Sequence, residues 1–189
     1  MMKSTTQASL IAEYKRLLGD SVRGNHSIYA SEMFLFWKEA SKHNPKRILE
    51  SGTYLGSSAK RLRLLFPDAE IITFEISKGH FKQAEKVDGV DYRRGELKNN
   101  LKLITDSTVV LIDGPKRKLA TRLARQCLRE GVLCVGMHDM YEYVDYLKKK
   151  FKSVVHSGNP SAMVKRLDDG QVVKSPSKKY YGTTLAVVR

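Results

Sequence analysis

Arg47-Ile48-Leu49-Glu50-Ser51-Gly52-Thr53-Tyr54-Leu55-Gly56-Ser57-Ser58 is the stretch from which the fold is read. Arg47 to Glu50 has the composition of a short apolar strand. A turn rich in Gly and Ser follows, and a helix is expected from about Ser57 to Phe66. Two glycines separated by three residues suit a tight strand-to-helix bend, where a backbone without side chains can approach a ligand closely. Ser57 or Ser58 can cap the helix. No Lys follows Gly56, so the bend is not the phosphate loop G-x-x-x-x-G-K-[ST].

Outward from this bend, strands and helices alternate. Glu70–Glu75, Val90–Arg93, Ser107–Asp113, Val132–Met137, Ser153–His156 and Thr183–Val188 read as strands. Helices are expected over Ser77–Lys86, Leu97–Ile104, Lys116–Glu130 (stopped by Gly131) and Tyr141–Phe151. Two further helices precede the bend. Ser9–Leu18 has apolar residues at helical spacing, and Ser31–Ser41 carries Met33, Phe34, Phe36 and Trp37. That aromatic group is read as packing against the main domain, and as a candidate dimer interface. The polar stretch from Ser157 to Tyr181 is a loop with a short hairpin at residues 163–174, and Tyr180-Tyr181 borders a candidate acceptor pocket. Alternation of this kind implies an α/β fold with a parallel sheet covered on both faces. Ligands of such sheets bind beyond the carboxyl ends of the strands, where strand order reverses.

The composition sets outer limits. A chain of 189 residues with 41% hydrophobic content can bury its own core. No apolar run approaches the length of a membrane span, and the first residues lack a signal-peptide core. Cys127 and Cys134 fit no zinc or CxxC spacing, so they are read as buried thiols of a cytoplasmic protein. The formal net charge of +14 suits an anionic partner.

The strand ends carry the chemistry. Glu75 closes the second strand 23 residues after Gly52, the spacing at which a carboxylate meets the two hydroxyls of a ribose. Glu96 follows the third strand, placed to face an adenine amine. Asp113 ends the fourth strand, and the fifth runs into His138-Asp139. Lys116, Arg117 and Lys118 open a helix against its dipole, for which an anionic substrate would compensate. Arg122, Arg125 and Arg129 continue one face of that helix.

Over about Pro45 to Arg189 the sequence resembles the class I S-adenosylmethionine-dependent methyltransferases. The resemblance is carried by Glu50-Ser51-Gly52-Thr53-Tyr54-Leu55-Gly56-Ser57-Ser58, Phe74-Glu75-Ile76, Gly95-Glu96 and Leu111-Ile112-Asp113-Gly114. The E-x-G-T-Y-x-G-x-S form looks most like the small O-methyltransferases of the catechol, caffeoyl-CoA, macrolide-sugar and glycan types. It implies a Rossmann-like three-layer sandwich with a seven-stranded, mostly parallel sheet whose last strand is antiparallel. It also implies two parts: residues 1–44 as a helical extension and residues 45–189 as the S-adenosylmethionine-binding domain. Glu50, Gly52, Thr53, Tyr54, Gly56 and Ser58 would surround the methionine part of the cofactor. Glu75 would bind the ribose hydroxyls, Glu96 would face the adenine, Asp113 would stand beside the transferring methyl group, and Ile76 would also belong to the cofactor site. The usual third glycine of the first motif is Ser58 here.

Metal-dependent members hold magnesium through an Asp after the fourth strand and an acidic-Asp or Asp-Asn pair after the fifth. Asp113 and Asp139 match, but the remaining position is His138 or Met140. Magnesium prefers oxygen ligands. The resemblance therefore leaves two arrangements: a manganese-type site of Asp113, His138 and Asp139, or a metal-free site in which neutral His138 removes the proton. The catalytic set expected is His138, Asp113 and Asp139, acting on a hydroxyl of a small molecule or saccharide. A nucleic-acid methyltransferase and a non-catalytic binding module are the alternatives. Asp113-Gly114-Pro115-Lys116 does not match the Pro-Pro motif of amino-methylating enzymes, and the absence of G-x-G-x-x-G disfavours a nicotinamide dehydrogenase.

Overall fold

A computed structural model describes residues 6–19, 28–157 and 185–189. The elements run α1 (Gln7–Leu18), α2 (Ala30–Ser41), β1 (Arg47–Ser51), α3 (Ser57–Leu65), β2 (Glu70–Glu75), α4 (Lys78–Gln83), β3 (Val90–Arg94), β4 (Thr108–Ile112), α5 (Arg117–Arg129), β5 (Val135–Met137), α6 (Val144–Lys148), β6 (Val154–His156) and β7 (Ala186–Val188). The hairpin expected at residues 163–174, Tyr180 and Tyr181 lie outside the described residues.

The sheet order is β3-β2-β1-β4-β5-β7-β6. The first five strands are parallel, and β7 is antiparallel to both β5 and β6. This is the seven-stranded arrangement with an antiparallel final strand. Strand alternation builds its two faces. Val109 and Leu111 join Ile48 and Ile71 on one side, with Tyr14, Phe34, Phe36, Trp37, Leu62 and Leu65 from α1, α2 and α3. Val110 and Ile112 join Leu49, Ile72 and Phe74 on the other, with Leu123, Ala124 and Cys127 from α5. Three layers result.

The aromatic residues of α2 are spent inside the chain. Met33, Phe34, Phe36 and Trp37 are all buried, so they pack against the sheet and offer no exposed dimer face. Gly136 on β5 makes room for this: a Cβ there would come within 2.6 Å of the Phe36 ring. Both cysteines are free and buried. Among the described residues no helix is long and apolar enough to cross a membrane.

Three expected helices are shorter than the periodicity suggests. Leu97–Ile104 is two 3₁₀ turns, Leu97–Asn99 and Leu101–Leu103. The Asn100 side chain donates to the Glu96 carbonyl at 2.8 Å and takes the place of a helical backbone bond. Helix α4 stops at Gln83, because Ala84 turns extended and Glu85 N donates to Leu55 O at 3.0 Å. Tyr141–Phe151 begins as a 3₁₀ turn and becomes α-helical only over Val144–Lys148.

Candidate functional site

Register aligns the carboxyl ends of four strands. Ser51 pairs with both Phe74 and Ile112, and Ile112 pairs with Met137. The next residues, Gly52, Glu75, Asp113 and His138, therefore emerge side by side. The order reverses between β1 and β4, so this edge is the topological switch point where such sheets bind ligands.

The bend after β1 is held from both sides. Gly52 N and Thr53 N donate to Phe74 O, at 2.9 and 3.1 Å. Asp113 N and Gly114 N both donate to Ser51 O at 2.8 Å, and the Ser51 hydroxyl donates to Gly114 O. Gly52 has φ +103°, and a Cβ there would lie 2.7 Å from Gly114 N. At Gly56, with φ +90°, a Cβ would lie 2.5 Å from Glu85 O. Contacts within the protein thus already require both glycines. Helix α3 takes Gly56 as its N-cap in left-handed conformation, without the side-chain cap expected from Ser57 or Ser58. Gly52→Ala should cost roughly 1–3 kcal/mol through backbone strain and this clash. Urea unfolding checks it, and an unchanged midpoint would contradict this account of the bend.

Two carboxylates flank the bend. Glu50 is fully buried. Its Oε2 accepts from Thr73 Oγ1 at 2.6 Å, and Thr73 Oγ1 lies 2.6 Å from Thr53 Oγ1. Among the described residues its Oε1 has no hydrogen-bond partner. Burial pushes the Glu50 carboxyl up to about 7, against the pull of the Ser58 and Thr73 hydroxyls. Glu75 is buried too, not the solvated strand-end acid that a lone Glu would be. Its Oε2 accepts from Tyr54 N and its Oε1 from Ser77 N, each at 2.8 Å. An ionised carboxylate has about four acceptor positions, so each oxygen keeps one for a hydroxyl. Tyr54 itself has φ +49°, and its ring meets the His80 ring edge-on at 4.7 Å. His80 Nδ1 lies 4.0 Å from Glu75 Oε1, so this histidine sits at the same strand end, a position nothing in the sequence marks. A shallow, open depression is lined by Ile76, Arg94, Gly95 and Glu96. It brings together two of the positions expected at the cofactor, and Ile76 is 67% exposed there. Glu96 also pairs with Lys98 at 2.9 Å.

One and two strands over lies a charged cluster. Asp113 Oδ1 is 2.7 Å from His138 Nδ1 and 2.5 Å from Lys116 Nζ. Asp139, at φ +59°, places its Oδ2 2.8 Å from Lys116 Nζ and 3.6 Å from His138 Nδ1. The other His138 nitrogen, Nε2, is 3.1 Å from Glu32 Oε2 on α2. Glu32 is 1% exposed and also accepts from Tyr29 N. Burial opposes the charge on His138, but Glu32 and Asp113 outweigh it and raise the imidazole to about 10. Burial likewise opposes ionisation of Asp113, yet His138 and Lys116 hold its carboxyl well below the usual range. Burial disfavours the Lys116 ammonium, but Asp113 and Asp139 raise it.

His138 is thus clamped between two carboxylates, which favour its protonated form over the neutral base expected from its position. Asp113, His138 and Asp139 do converge, their ligand atoms within 4.8 Å of one another. The donor set as it stands does not fit a divalent cation, because Lys116 already lies against all three. Lys116, Glu32 and His80 are the residues at this edge that sequence reasoning missed. Lys116 stands three residues after Asp113 and was read only as part of a basic run; nothing in the sequence marks Glu32. Two of the three cations at the start of α5 find partners within the protein: Asp113 and Asp139 at Lys116, and Glu142 at 3.8 Å from Arg117. Those two need no anionic substrate to compensate them. Arg122, Arg125 and Arg129 remain exposed.

No family model matches the chain, and no curated protein matches it. Solved structures do match in fold. The O-methyltransferase TomG from Streptomyces achromogenes, in complex with SAM, gives a TM-score of 0.54 at 16% identity, covering 98% of this chain and 92% of that one. The O-methyltransferase from Bacillus cereus, in complex with SAH, gives 0.53 at 15% identity, covering 98% and 93%. The SAH-bound methyltransferase PaMTH1 from Podospora anserina gives 0.51 at 17% identity, covering 95% and 86%. The chain has the class I methyltransferase fold.

Proposed function

We propose that the protein is an S-adenosylmethionine-dependent methyltransferase acting on a hydroxyl group of a small molecule or saccharide. The observation that carries this reading is the paired carboxylates at the glycine bend. Glu50 is fully buried, and its Oε1, without a hydrogen-bond partner among the described residues, is suited to the ammonium of a methionine tail. Glu75 keeps acceptor positions for a ribose, beside a depression lined by Ile76 and Glu96. Binding an ammonium would return Glu50 to its charged form. The SAM- and SAH-bound fold neighbours support the same donor. In this reading residues 45–189 form the donor-binding domain and residues 1–44 an extension that reaches the site through Glu32.

S-adenosylmethionine, when bound, supplies a methyl group already activated on its sulfonium. The chain's part is to align an acceptor oxygen and exclude water. Asp113 sits beside the bend through its backbone bond to Ser51, so the charged cluster borders the donor. Lys116, anchored by two carboxylates, is placed to donate to the acceptor oxygen. Asp139 is placed to accept the acceptor's proton. His138 holds Asp113 and ties α2 to the sheet edge. Calorimetry with S-adenosylhomocysteine tests the donor reading: one saturable site is expected, and no heat with either the methyl donor or its product would overturn it.

A further inference from the structure

The cluster after β4 and β5 has the outline of a metal centre with a lysine inside it. We infer that Lys116 is a resident cation: its ammonium takes the place a divalent ion would occupy between Asp113 and Asp139, and the cluster becomes a divalent-cation site only when Lys116 is removed. Three observations carry this. The ammonium lies 2.5 Å from Asp113 Oδ1, 2.8 Å from Asp139 Oδ2 and 3.4 Å from His138 Nδ1. These are the same three ligand atoms that converge within 4.8 Å. A divalent ion bonds carboxylate oxygens at about 2.0–2.6 Å, so it and the ammonium cannot share that space.

The lysine is also tethered. Lys116 is the N-cap residue of α5, three residues after Asp113 on the same turn. It is therefore always present at high local concentration, whereas a metal must be recruited and dehydrated. The ammonium meets both carboxylates without removing either from the fold. Its side chain is 41% exposed, so truncating it leaves no buried cavity.

This inference stands apart from the methyl-transfer reading, because ion binding is measured with no donor or acceptor present. Manganese is titrated by calorimetry into the full-length wild type, Lys116→Met, Lys116→Gln and the double variant Lys116→Met/Asp139→Asn, each checked for folding by circular dichroism. The wild type should show no saturable site at millimolar manganese. Lys116→Met and Lys116→Gln should each gain one site, about a hundredfold tighter than any wild-type binding. That is the order Coulomb's law gives for a unit charge about 3 Å from a doubly charged ion even at the dielectric constant of water. The gained site should vanish in the double variant. The inference is overturned by wild-type binding as tight as that of the variants, or by folded Lys116 variants that gain no site. Were the Lys116 variants unfolded, the wild type alone would still decide. One saturable manganese site abolished by Asp113→Asn overturns the inference, and the lack of any such site upholds its first half, that the ammonium already fills the space between Asp113 and Asp139.

Discussion

His138→Leu is expected to destabilise the protein by roughly 3–5 kcal/mol, the range for removing one partner of a buried ion pair. The imidazolium joins α2 to the ends of β4 and β5 through Glu32 and Asp113. Without it Glu32, almost wholly buried, keeps among the described residues only the backbone N–H of Tyr29. The pH dependence is specific. The imidazole is raised from 6.5 to about 10 in the folded state, so folding favours its protonated form. That contribution is whole below about pH 6.5, shrinks as pH rises, and is gone above about pH 10. Urea midpoints measured from pH 6 to 10 should fall in the wild type more steeply than in His138→Leu. Parallel profiles, or a variant within 1 kcal/mol of wild type, would show that the clamp is not built as described. A residue acting only as a free base would lower turnover and leave these midpoints alone.

Glu75→Ala should weaken S-adenosylhomocysteine binding by about a hundredfold or more. Hydrogen bonds to a charged group contribute about 1.5–3 kcal/mol each, and the proposed ribose contact uses two. The same substitution also releases Tyr54 N and Ser77 N from the carboxylate, which loosens the bend. Glu75→Gln separates the two effects. Its amide oxygen still accepts from one backbone N–H, so stability should recover further than affinity. Calorimetry at a temperature well below unfolding reads the binding. Affinity of Glu75→Ala within twofold of wild type would remove the ribose role and, with it, the donor reading.

The meeting of the glycine bend with Glu75 was legible because it is local. Gly52, Gly56 and Glu75 lie in or directly after the first two strands, and parallel pairing of neighbouring strands leaves their ends together. Strand β2 appears with the bounds its composition suggests, Glu70–Glu75. Helices fared worse where a side chain competed with the backbone, as at Asn100, or where the chain was diverted to a distant partner, as at Glu85. The neighbours of His138 and Lys116 are not readable from the sequence, for a related reason. A histidine's charge and a lysine's partner depend on neighbours far away in the chain, here Glu32 and Asp139.

Apolar periodicity and glycine spacing alone established an alternating α/β chain with a ligand edge at the strand ends, because burial of strands and the geometry of bends are properties of short segments. Tertiary structure decided the electrostatics of that edge. Only the packed sheet brings α2, β4, the start of α5 and β5 within reach of one another. Protonation and cation occupancy follow from distances of a few ångströms between groups up to 106 positions apart.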